Sequence, residues 1–92
     1  MSDRAYRGIY YDDPYVQAEF QRLVQRITEA EQARAPIAER HRKAERDEEA
    51  GTMSDTQFRA IDDEYIAANN AIAAAQRAVD DFLRRNHNYR SR

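Results

Sequence analysis

Between Phe58 and Phe82 the apolar positions recur without a slip: Phe58, Ile61, Tyr65, Ala68, Ile72, Ala75, Val79 and Phe82 stand three and four residues apart in alternation. That is a heptad seam, with 58, 65, 72 and 79 at one apolar position and 61, 68, 75 and 82 at the other, and it predicts a long amphipathic helix. A weaker seam precedes it, carried by Val16, Phe20, Leu23, Ile27, Ala30 and Ile37.

Local chemistry bounds both helices. Asp13 followed by Pro14 reads as an N-cap and a first helical residue, because proline there gives up an N–H that had no partner anyway. Gly51 fits the left-handed residue that ends a helix. Ser54-Asp55-Thr56-Gln57 matches a capping box, with Ser54 as cap and Gln57 three residues on. The predicted organisation is an arm over 1–12, helix one over 13–50, a turn over 51–54, helix two over 55–86 and a basic tail over 87–92. Two long helices joined by so short a turn run antiparallel, so the expected fold is all-α, a coiled-coil-like two-helix hairpin with an extended N-terminal arm, each helix about 50 Å long at about 1.5 Å per residue. A register centred on Gly51 sets Phe20 against Phe82, Leu23 against Val79, Ile27 against Ala75, Arg34 near Ala68, His41 near Ile61 and Ala44 near Phe58.

Pro36 interrupts the first seam, removing an amide donor, and predicts a kink or break near residues 32–36. Beyond it the seam receives only Ile37, His41 and Ala44, so the loop end is expected to be the looser end, aided by weak charge pairs such as Glu39 with Lys43.

Composition thins the expected core. The chain has 92 residues, 41% of them hydrophobic, but sixteen are alanine. With 35% charged residues, a net charge of −2 and two glycines, it reads as solvated helices with a narrow seam rather than as a nucleic-acid coat or an acidic decoy. Cysteine is absent, which excludes disulfides and thiolate metal sites. No apolar run approaches the roughly 18 residues that span a bilayer, and the first residues do not resemble a signal peptide. The expected setting is cytoplasmic or virion-associated, with no membrane.

No enzyme is expected. Ser2, Ser54 and Ser91 have no His–carboxylate partner at a useful spacing, and phosphate-cradling glycine loops are missing. His41 between Glu39 and Glu45 is the one place where ligands cluster, yet Glu39 and His41 are two apart and face different sides of a helix, unlike a Glu-x-x-His metal pair. No metal, cofactor or small-molecule substrate is expected.

The distinctive residues gather elsewhere. Tyr6, Tyr10, Tyr11 and Tyr15 lie within ten positions, and an antiparallel hairpin returns Tyr89, Arg84, Arg85 and Arg90 to the same end, beside Arg4 and Arg7. Tyrosine and arginine together have the composition of a contact surface; equally, the arm can fold back as a lid over Phe20 and Phe82. A row of small residues, Ala67, Ala71, Ala74 and Ala78, with Ala60 before it, flanks the main seam and permits another helix to approach, while Val24, Ile66 and Leu83 lie off the seam without an assigned partner. The expectation is a structural, assembly or adaptor protein, such as a phage virion or assembly component, acting through a protein partner or its own copies. The alternative is a small regulatory binder: an inhibitor of a host enzyme, or a nucleic-acid-binding factor that uses the Arg- and Tyr-bearing termini.

Overall fold

A computed structural model describes residues 6–92. In chain order the elements are β1 (Ile9–Tyr10), α1 (Pro14–Glu49), α2 (Asp55–Arg85) and β2 (Arg90–Ser91). The two helices pack along each other as an antiparallel hairpin, 57 × 20 × 15 Å in extent.

Helix α1 starts where Asp13 accepts hydrogen bonds from the amides of Tyr15 and Val16, at 2.8 and 3.2 Å, with Pro14 in the first turn. It ends in a Schellman closure: the Gly51 amide reaches the Glu48 carbonyl and the Thr52 amide reaches Asp47, with Gly51 at φ +77°. The Ser54 hydroxyl then accepts from the Gln57 amide while the Gln57 side chain accepts from the Ser54 amide, which opens α2.

Of the two outcomes expected at Pro36, the break is absent. Helix α1 runs for 36 residues straight through it. Pro36 is exposed, so its ring faces water, and Arg34 just before it is tied to α2 by a 2.9 Å hydrogen bond to Asn69. One missing amide donor is a local loss that the packing on either side outweighs.

The packing follows the register centred on Gly51. Phe20 stacks on Phe82 with ring centroids 6.1 Å apart, Arg34 reaches Asn69, Arg40 pairs with Glu64, and His41 meets Asp62. Tyr11, Phe20, Ile27, Val79 and Phe82 form one buried cluster at the end opposite the turn. Val24 and Leu83 are part of its surround, together with Tyr6 and Ile9 from the arm, so two of the three off-seam residues do have partners within the chain. Ile66 alone of that trio is exposed, at 48%.

Among the described residues the two terminal segments are held against each other. The expected basic tail folds into β2 and pairs antiparallel with β1, Ile9 opposite Ser91 and Tyr10 opposite Arg90. Residues 1–5 of the expected arm, Arg4 among them, lie outside the described residues.

Candidate interaction surface at the terminal pole

The pole where the two termini meet is built around Tyr11. The chain arrives there along β1, passes Tyr11, bends at Asp12 and enters α1 at Pro14. Tyr11 is 5% exposed, and its ring meets Phe20 and Phe82 edge-on, each at a centroid distance of 5.5 Å. Such edge-to-face pairs add a modest attraction beyond the area they bury. Its hydroxyl donates to the Asn86 carbonyl at 2.6 Å and its amide donates to the Gln17 side chain at 2.7 Å, so the polar atoms carried into the wedge are matched. Burial, and then the neighbouring Tyr89, push the Tyr11 hydroxyl above its ordinary pKa.

The other tyrosines divide by role. Tyr6 donates to Asp80 at 2.8 Å; burial first, then that carboxylate, raise its pKa to about 12. Tyr10 lies beneath the Arg92 guanidinium, 5.1 Å from its ring centre. Tyr89 packs edge-on to Tyr11 at 6.1 Å yet remains 40% exposed, and Tyr15, in the first turn of α1, is 86% exposed. The tyrosine-rich end is therefore a lid in Tyr11 and Tyr6 and an open surface in Tyr15 and Tyr89.

The basic residues divide in the same way. Arg90 donates to Asp12 at 2.6 Å, and that carboxylate holds the arginine's pKa above its usual value. Arg84 pairs with Asp81 one helical turn back. Arg85 is exposed at the last residue of α2, where it complements the helix dipole. Two of the three arginines proposed from sequence as contacts are thus already matched by acids in the fold.

His41 occupies a different setting from the one its sequence neighbours suggest. Its ring nitrogens lie 2.8 Å from Glu45 and 2.8 Å from Asp62, the second of these on α2, and the ring stacks on Tyr65 at 4.3 Å. Glu39 instead pairs with Arg42 and leaves Lys43 aside. Among the described residues no group of three or more histidines and carboxylates is placed to hold a metal ion. The register read from the sequence set His41 near Ile61, one residue from Asp62, but no pattern in the sequence marked Asp62 as the histidine's partner.

On α2 the row Ala60, Ala67, Ala71 and Ala74 is exposed and Ala78 is half-buried, so the small side chains point away from α1. No helix among the described residues is long and apolar enough to cross a membrane. No protein-family model, no curated protein and no solved structure matches the chain.

Proposed function

We propose that the chain is a non-enzymatic structural or assembly element, a helical strut that acts through protein–protein contact, as an adaptor or in a multi-copy particle such as a virion. The observation that supports this reading is the outer flank of α2. Ala60, Ala67, Ala71 and Ala74 are exposed there, and short side chains let a second helix come close, since interaxial distance follows side-chain size at the contact. The thin core supplies a reason for such an approach. Seven hydrophobic residues are buried among those described, and a two-helix unit enclosing so little apolar surface does little more than offset the entropy of ordering it.

Sedimentation of the full chain beside the Ala71→Glu/Ala74→Glu variant tests this reading. The expected result is an associated wild type and a dissociated variant of unchanged helix content, because the carboxylates would be stripped of water in the contact. A folded wild-type monomer at low micromolar concentration, or an oligomer indifferent to the substitutions, counts against it. The nucleic-acid branch of the alternative draws less support, since Arg84 and Arg90 neutralise Asp81 and Asp12.

A further inference from the structure

The face of α2 that turns away from α1 carries its charges in an order that reverses about its middle. Helical spacing sets Arg59, Asp63, Asn70, Arg77 and Asp81 along one line opposite the seam, and all five are exposed. Asp63 and Arg77 stand seven residues to either side of Asn70, and Arg59 and Asp81 stand eleven. The helix dipole does not account for this order, because it favours acids in the first turn and bases in the last, whereas here the sign changes within each half. Among the described residues no ion pair engages Arg59, Asp63 or Arg77, and Asp81 has Arg84 alone. Between the charges lies a neutral span: the twelve residues from Tyr65 to Gln76 hold no Asp, Glu, Lys or Arg, in a chain that is 35% charged. Ile66 and Ala74, placed equally about Asn70, are both exposed there, and Ile66 is the large side chain left without a partner by the hairpin.

We propose that this face binds a second copy of the chain, the two α2 helices lying antiparallel about a two-fold axis at Asn70. This rests on the assembly reading above and names its partner, orientation and register. In a two-fold contact residue i meets residue j and j meets i. Antiparallel pairing about Asn70 therefore sets Asp63 against Arg77 of the second copy, Arg59 against its Asp81 and Ile66 against its Ala74, each of them twice. Opposite charges meet at every charged rung, Ile66 gains a small neighbour, and no charged side chain lies over the central span to be stripped of water. The charges, rather than the alanines, identify the occupant. A parallel pair would set Asp63 on Asp63 and Arg77 on Arg77, and a slip of one turn, four residues, sets Asp63 on Asp81 or Arg59 on Arg77 according to its direction. The order is complementary to itself, which is what a second copy requires and a different partner does not.

Two single charge reversals, followed by sedimentation at low salt, test the pairing. Asp63→Arg and Arg77→Asp each make both inner rungs like-charged, and each should weaken association about tenfold with helix content unchanged, two exposed pairs having turned from attractive to repulsive. Mixed in equal amounts, the two variants should associate as the wild type does. One rung then joins the two substituted side chains and the other the two native ones, with opposite charges in each. The chain has no cysteine, so Asn70→Cys, on the two-fold axis, is a clean reporter that should oxidise to a covalent dimer. Thr56→Cys is exposed on the same face but stands about 40 Å from its counterpart by the rise of an α-helix, and should stay reduced. Association that the reversals leave unchanged, or that mixing fails to restore, overturns the antiparallel pairing, as does cross-linking of Thr56→Cys that matches that of Asn70→Cys. If Ala71→Glu/Ala74→Glu still dissociates that assembly, the alanine flank stands without this register. A wild-type monomer at low micromolar concentration overturns both.

Discussion

Tyr6 ties the start of the arm to α2 through one proton. Burial disfavours the phenolate first, and the neutral phenol donates to Asp80 where a phenolate would face a like charge, so folding favours the protonated form and lifts the pKa from 10 to about 12. The stabilising contribution is therefore complete below pH 10 and is lost as pH rises through 12. Tyr11 acts with the same sign, since burial raises its pKa too. Tyrosinate absorbance followed through an alkaline titration should show a late-ionising component that Tyr6→Phe diminishes; an unchanged profile in that variant would mean the Asp80 contact is not held in solution. The position of Tyr6 against Asp80 was beyond sequence reasoning, because it joins residues 74 apart in the chain with no periodic pattern linking them. Tyr11 was legible only as one of two alternatives, contact surface or lid, and the ring's place between Phe20 and Phe82 decides for the lid at that residue.

At the scale of elements, the helix ends are where the sequence speaks most directly. Asp13, Gly51 and the Ser54–Gln57 box act within three or four residues, so their chemistry can be read without knowing the fold. Gly51 stands at φ +77° with nothing within 4 Å of where a Cβ would project, so Gly51→Ala meets a backbone penalty without a steric one. The expected cost is about 1 kcal/mol, read as a lower midpoint in urea with an unchanged slope. A neutral substitution would mean the turn readily adopts another closure. Two features escaped because they are products of assembly. The β1–β2 ladder is only two residues long on each side, too short for an alternating pattern to reveal. Pro36 predicts a kink or break by local rules alone; of these the break is absent, α1 running on through it with Arg34 tied to Asn69 on α2.

Across the whole molecule the two poles are held by different means. The aromatic and aliphatic cluster of Tyr11, Phe20, Ile27, Val79 and Phe82 secures the terminal pole, while toward the turn Ala44 is buried and the rungs are polar, Arg40 with Glu64 and His41 with Asp62. Regions with few buried apolar contacts open at lower free energy, so amide hydrogen exchange should be faster over 37–48 and 56–66 than over 20–30 and 76–84. Uniform protection would show instead a single cooperative unit. The pairing of β1 with β2 also decides how the strut bears a load. Tension applied to the two ends of the described chain pulls first on Tyr6 with Asp80 and on the Arg92 amide with the Gly8 carbonyl, then on the Ile9–Ser91 and Tyr10–Arg90 pairs, and then on the Tyr11 wedge, one contact at a time as a zipper is drawn. Force applied between the turn and the terminal pole runs along both helices at once and loads their hydrogen bonds and the seam together. The same hairpin is thus weak when peeled by its ends and stiff along its length.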